Sequence, residues 1–421
     1  MRQVAKYSAV AALGVALVVV TGALLTPRDA DRAAPVLAVP ADPIAAAQLR
    51  LEQLPGDWTT WAELGMAYVQ RARVTANPAD YPLAQRALEK SLEVRPKENA
   101  AALTGLGALA AARHDFPTAL KQGQAALAVD PYRASAFGVV ADALTEIGRY
   151  PEAFDTVQRM ADLRPDTASF ARASYTWELR GDLARATDAM QRALTAAGSL
   201  ADAAFARYHL GELAYSAGDL DTAAMHFTEG LRLDPAYPPL RIGQARVRIA
   251  RGDTATGISE YRAVIATVPS PAYAAEFGDV LTANGQGTAG SRQYALARAA
   301  WTGSPEPESV LFAADQREPG AVQAARTLYA RQPGIAAADA LAWALRSAGK
   351  PAEALPKADE ALRLGTRSAL LHYHRGMILF DLDRRDEARA SLTTALRLNP
   401  HFSVRHAATA RTTLAALGGA Q

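Results

Sequence analysis

Residues 206–235 read ARYHLGELAYSAGDLDTAAMHFTEGLRLDP, and their spacing decides the fold. Tyr208, Leu210 and Gly211 belong to a first run that is apolar or small at helical spacing. Gly218-Asp219 interrupts it, because glycine takes the left-handed conformation that closes a helix. Ala223 and Phe227 then lie four apart, on one face of a second run that Pro235 stops. Working outward from Ala223, small residues recur at Ala84, Ala119, Ala153, Ala186, Gly257, Gly290, Ala321, Ala354 and Ala388, with gaps of 31 to 37 residues. A second series keeps step through Pro96, Pro131, Pro165, Pro235, Pro269, Pro333 and Pro400. Self-similarity at one period over most of a chain marks a stacked-repeat solenoid. The small residue has a physical reason: two helices crossing closely need Ala or Gly where one backbone rests on the next. A solenoid offers a long ordered surface and rarely a reaction pocket, so the period bears on the class of function as well as on the fold.

Composition agrees. Of the 421 residues 50% are hydrophobic but only 7% aromatic, which points to Ala and Leu in closely packed helices. Lys and Arg total 45 against 43 acids, and setting aside Arg2 and Lys6, which precede the first apolar run, leaves 43 against 43. That balance gives no concentrated basic face, so nucleic acid is not an expected partner. The absence of cysteine excludes a disulfide framework, a thiolate zinc site, a cysteine nucleophile and a lipid-modified cysteine.

After Arg2 and Lys6 comes a charge-free stretch, Tyr7 to Pro27, whose apolar heart, Ala9 to Leu25, is 17 residues long. As a helix it would reach about 25 Å, within the range of spanning segments and longer than the apolar part of most cleaved signals. Residues 1–25 are therefore expected to be a signal anchor, or else a signal peptide, with the rest of the chain carried across the membrane. Residues 26–42, with Pro27, Pro35 and Pro40, read as a Pro-rich linker. Asp42-Pro43 is a helix start and Pro55-Gly56 a stop, giving a short leading helix between them.

From Trp58 the pattern sharpens: Trp61, Leu64, Gly65 and Tyr68 on a first helix, then Ala84, Leu88, Ser91, Leu92 and Pro96 on and after a second. Together with Leu106-Gly107, Ala119, Ala126 and Pro131, and with Leu210-Gly211, Ala223, Phe227 and Pro235, this resembles the tetratricopeptide repeat. The resemblance implies an all-α fold, a right-handed superhelix of about ten helix-turn-helix units over residues 43–403. Residues 404–421 read as a capping helix and tail. Some units depart from the pattern: the one ending near Gly198 lacks its terminal Pro, Gly257 and Gly290 replace Ala, and Glu306 to Gln332 is short. Pro305, Pro307 and Pro319-Gly320 around that short unit suggest a local bend.

Signals for chemistry are few. Gly285-Gln286-Gly287-Thr288-Ala289-Gly290 has dinucleotide-binding spacing, but a helix rather than a strand precedes it and the repeat needs a turn there. His372 and His374 are two apart, which points them in different directions on a helix. No phosphate loop, serine elbow or paired-histidine motif occurs, so no catalytic residue, cofactor or metal is expected.

In the resembled family the first helix of each unit lines a concave groove. The equivalent positions here are Asp142, Glu146, Tyr175, Glu178, Tyr208, His209, Glu212, Tyr215, Arg246, Trp343, Arg346 and Tyr373, with Glu276 and Asp279 continuing the acidity. Family members that hold the C-terminal carboxylate of heat-shock chaperones use Lys, Asn and Arg there, so that ligand is not implied. An acidic, tyrosine-lined groove suits a protein or peptide segment carrying Lys or Arg. The expected role is a non-catalytic, membrane-tethered scaffold or assembly factor in a bacterial envelope. A secreted or envelope peptide- or polymer-binding protein, or an accessory subunit of an envelope enzyme, are the alternatives.

Overall fold

The computed structural model describes residues 42–75, 77 and 79–418. The expected N-terminal anchor and nearly all of the linker lie outside the described residues. Among those described there are 22 α-helices and no strand. The leading helix α1 (Pro43–Gln53) is followed by ten helix-turn-helix pairs. They are α2 (Trp58–Thr75) with α3 (Asp80–Val94), α4 (Ala100–Ala112) with α5 (Phe116–Val129), and α6 (Ala134–Glu146) with α7 (Tyr150–Leu163). Next come α8 (Thr167–Leu179) with α9 (Leu183–Thr195), α10 (Leu200–Ser216) with α11 (Leu220–Leu233), and α12 (Pro238–Ala250) with α13 (Thr254–Thr267). The last are α14 (Pro271–Ala283) with α15 (Gly287–Ala300), α16 (Pro307–Asp315) with α17 (Ala321–Arg331), α18 (Ile335–Ser347) with α19 (Pro351–Ala361), and α20 (Ala369–Asp381) with α21 (Arg385–Leu398). A closing helix, α22 (Ala407–Ala416), packs on α21. No helix among the described residues is long and apolar enough to cross a membrane.

In the fourth, fifth and sixth units the turn is a two-part device. A residue with positive φ ends the first helix: Gly181 at 72°, Gly218 at 78°, Gly252 at 89°. The aspartate that follows, Asp182, Asp219 or Asp253, opens the second helix by accepting from the backbone N–H three residues on. That cap satisfies one of the donors a helix start leaves unpaired. Three units reach the same left-handed conformation without glycine, at His114, Arg317 and Asp383.

Packing between units explains the period. The Phe227 ring on α11 is fully buried and is clamped by glycines of the two first helices beside it. A Cβ added at Gly211 of α10 would lie 2.3 Å from that ring, and one at Gly243 of α12 would lie 2.6 Å from it. Leu88 is held in the same way between Gly65 of α2 and Gly105 of α4. Burying such a side chain stabilises by about 1.5–3 kcal/mol, and only the missing methyl groups let it in. All ten small residues of the period are buried. The apolar core is correspondingly a chain of local clusters, each shared by neighbouring units.

The short unit is α16, 9 residues, with α17, 11 residues. Here the stack is thin: the apolar contact with the preceding pair comes down to Ala274, Ala297 and Phe312, with Tyr294 and Trp301 against them.

The array also closes on itself. The Ile335 N–H donates to the Tyr150 hydroxyl at 2.7 Å, the Thr366 hydroxyl to the Leu179 carbonyl at 2.6 Å, and the Asn399 side-chain amide to the Tyr215 carbonyl at 2.9 Å. These partners are 185, 187 and 184 residues apart, a nearly constant offset that spans between five and six units. The inner turns of the third, fourth and fifth pairs thus meet the loops that join and follow the last three. Gly181 packs so closely that an added Cβ would stand 2.2 Å from the Gly365 carbonyl oxygen. Successive turns of the superhelix touch edge to edge, so its concave inner face is enclosed.

Candidate functional site

The inner face is built from the first helix of each pair, and oppositely charged side chains about one repeat apart join across it. Arg172 of α8 forks onto both carboxylate oxygens of Asp142 on α6, at 2.8 and 2.7 Å, and both side chains are buried. Arg246 of α12 reaches Glu276 of α14 at 2.6 and 2.8 Å and Glu212 of α10 at 3.1 Å. Burial works against the Arg246 charge, but Glu276 and Glu212 outweigh it and hold the guanidinium well above its usual value. Burial would raise Glu276 as well, yet Arg246 dominates and keeps it low, whereas Glu212, more loosely held, is pushed up by burial. Arg346 lies over the Trp343 ring at 4.7 Å and pairs with Asp381 at 2.9 Å.

The interior is narrow. Arg73 of α2 lies within electrostatic reach of Asp142, Arg172 and Tyr237 from three other pairs, and burial lowers its guanidinium.

Two carboxylates on this face, Glu146 and Glu178, have no ion-pair or hydrogen-bond partner among the described residues. Burial, then the charges of Glu308 and Asp142, push Glu146 up to about 8. Burial, then Glu212, push Glu178 up to about 7. Tyr175 stands between them and its hydroxyl is raised well above the usual range by burial and by both glutamates. All three are half-buried, so water reaches them while protein surrounds them on most sides. That combination raises a carboxyl's proton affinity and leaves its oxygens open to an incoming cation. His209 lies next along, against Phe205 at 4.4 Å and Tyr208 at 4.9 Å between ring centroids. Burial takes its imidazole down to about 4, so it is neutral at pH 7.

The structure thus divides the twelve groove positions read from the sequence. Glu146, Tyr175, Glu178, Tyr208, His209 and Glu212 form one continuous strip, with Asp142, Glu212 and Arg246 spoken for by ion pairs. Trp343 and Tyr373 are buried, at 4% and 2% exposure, under the segment that follows α21. Tyr215 donates to the His401 carbonyl of that same segment.

Several residues of the inner face escaped the sequence reading. Arg172, Glu308, Asp315, Asp339, Arg405 and His406 all take part in it. A usable signal existed, since Asp142 and Arg172 are 30 apart, Glu212 and Arg246 are 34 apart, and Asp339 and His374 are 35 apart. Opposite charges one period apart fall on facing turns of adjacent helices. His374 is buried with its Nδ1 on Asp339 at 2.9 Å and its ring stacked on Trp343, whereas His372 is half-buried beside it. No group of three or more His, Cys, Asp or Glu among the described residues is placed to hold a metal ion. In the glycine-rich stretch 285–290, Gly285 (φ 74°) and Gln286 lie in the turn between α14 and α15, and residues 287–290 are the first turn of α15.

Residues 106–168, 178–238 and 340–403 match the tetratricopeptide repeat family. No curated protein matches the chain. Among solved structures, the human IFIT1 dimer with m7Gppp-AAAA shares 16% identity over 76% of this chain and 76% of its own, at a TM-score of 0.50. A thermophilic TPR protein of Thermus thermophilus shares 20% identity over 46% of this chain and 99% of its own, at 0.40. Yeast Tom70 shares 15% over 89% of this chain and 84% of its own, at 0.38. At such identities the likeness is one of fold. The chain carries tetratricopeptide repeats in an all-helical array.

Proposed function

We propose, from a chain that carries tetratricopeptide repeats, that it is a non-catalytic interaction scaffold holding a partner segment inside the array. Repeats of this kind work by presenting an ordered surface to other proteins. The observation that carries the reading is the pair Glu146 and Glu178, unpartnered acids flanking Tyr175 on a face where Asp142, Glu212 and Glu276 are each held by arginine. An unpaired, half-buried carboxylate costs stability that a partner's Lys or Arg would return, and Tyr175 adds area for the cation. The enclosed geometry requires the segment to enter along the superhelix axis or while the touching turns part.

The test places a photo-crosslinking amino acid at Tyr208 in intact cells and compares the unaltered chain with Glu146→Lys/Glu178→Lys. Glu212 is left alone because reversing it would set a lysine against Arg246. Loss of the crosslinked species in the charge-reversed variant, with the helical content intact, supports the reading; capture of the same species by both rejects it. We place the chain at the membrane, with the repeats outside the cytoplasm, on the strength of Arg2 and Lys6 followed by the apolar run Ala9 to Leu25. Resistance to a carbonate wash is the expected result, and release into the soluble fraction would favour a secreted binder.

A further inference from the structure

The inner face along the last four pairs is already occupied, by the chain itself. After α21 the segment Asn399–His406 turns inward. Its Phe402 ring lies 5.4 Å from that of Tyr373 on α20. Arg405 donates to the Asp279 carboxylate of α14 at 2.8 Å and to the Asp315 backbone carbonyl of α16 at 2.8 Å. His406 meets Asp315 at 3.2 Å and sits at 5.6 Å from the Trp343 ring and 4.9 Å from the Tyr373 ring. Four successive rungs of the interior, Asp279, Asp315, Trp343 and Tyr373, and Tyr215 two rungs before them, are engaged or overlaid by a stretch of eight residues. Arg405 also bridges the seventh and eighth pairs, the place where the stack between units is thinnest.

Such a segment touches the array as a bound peptide would. It is a run of turns outside any helix, it has an aromatic residue followed three positions later by an arginine, and it is tied down by side chains rather than by helix packing. Phe402 and Arg405 are only half-buried, which is the exposure of a docked ligand and not of a core.

We propose that the inner face between Asp279 and Tyr373 is a binding site for an arginine-bearing peptide with an aromatic residue three positions before it, and that Phe402–His406 holds this site until a partner segment of the same chemistry displaces it. The proposal rests on the reading that the inner face takes partner segments, and it names a second stretch of that face and its occupant. Tethering gives the chain's own segment an effective concentration on the order of millimolar, so a competitor must bind well or be presented at high local concentration.

The probe is a fluorescent synthetic peptide of residues 399–406, added to the full chain and to its Phe402→Ala/Arg405→Ala variant. The variant should bind the peptide at least tenfold more tightly than the unaltered chain, and a peptide with glutamate in place of the arginine should not bind. Equal affinity for the two chains, or equal binding of the glutamate peptide, overturns the proposal. Should the variant fold poorly, hydrogen exchange on the unaltered chain decides. The proposal requires amides of residues 401–406 to exchange faster than those of α20 and α21, and further acceleration when excess peptide is added. Exchange of that segment only with global unfolding would make it a fixed structural strap and overturn the proposal. The Tyr208 crosslinking measurement is run in parallel on the unaltered chain. A failure confined to the peptide therefore counts against this site alone, whereas loss of the crosslinked partner counts against the scaffold reading.

Discussion

Neutralising the two unpaired glutamates should stabilise the fold, by an amount that grows with pH. The native state holds Glu146 at about 8 and Glu178 at about 7, against 4.5 for an ordinary glutamate, so the folded chain binds protons more tightly than the unfolded one. Unfolding free energy therefore falls as pH rises through this window. The penalty is absent below about pH 4.5 and complete above about pH 8. A carboxyl displaced that far costs about 5 kcal/mol for Glu146 and about 3 kcal/mol for Glu178 once ionised. Interior water screens part of this, which brings the expected gain for Glu146→Gln/Glu178→Gln to about 3–5 kcal/mol at pH 9. Urea unfolding at a series of pH values from 4.5 to 9, for the variant and the unaltered chain, measures it directly. The two curves should nearly coincide at the acid end and separate steadily towards the alkaline end. A constant difference across the range, or a variant that is less stable at pH 9, would refute the placement of these acids in an enclosed interior.

Two further outcomes follow from the packing. Ala223 is fully buried where α11 rests on its neighbours, so Ala223→Glu should overpack the crossing and bury a charge, lowering stability by about 4 kcal/mol or more; an unchanged melting temperature would contradict the register of the repeat. Arg317 is exposed and holds a left-handed turn position at φ 51°, so Arg317→Gly should raise stability by about 1 kcal/mol, read as a higher midpoint in urea.

Much of the architecture was legible because it is local. The alanines at 84, 119, 153, 186 and 223 mark the helix crossings, and Gly181-Asp182, Gly218-Asp219 and Gly252-Asp253 mark the turns, each readable without knowing where any other unit lies. Closure of the superhelix was not legible. It depends on a small rotation per unit accumulated over about five units, and the residues that meet, such as Tyr150 with Ile335 or Leu179 with Thr366, look like ordinary helix ends and loops in their own units. The strip Glu146, Tyr175, Glu178 could be read from register alone, because register decides which helix face a residue occupies. Register does not tell which acids find an arginine. That is settled by side-chain reach between rungs, as with Arg172 on Asp142 and Arg246 on Glu212 and Glu276. Nor did it show that Trp343 and Tyr373 would be covered, since the covering residues, Phe402 and His406, come after the last repeat.

The enclosed interior stands or falls with contact between successive turns. The chain has no cysteine, so Ala184→Cys with Arg367→Cys puts one spin label on either side of the seam where Gly181 meets Gly365. Double electron–electron resonance on that pair should give a single narrow distribution at the short limit of the method. A broad distribution centred at long distance would mean that the turns stand apart, and that the inner face is an open groove.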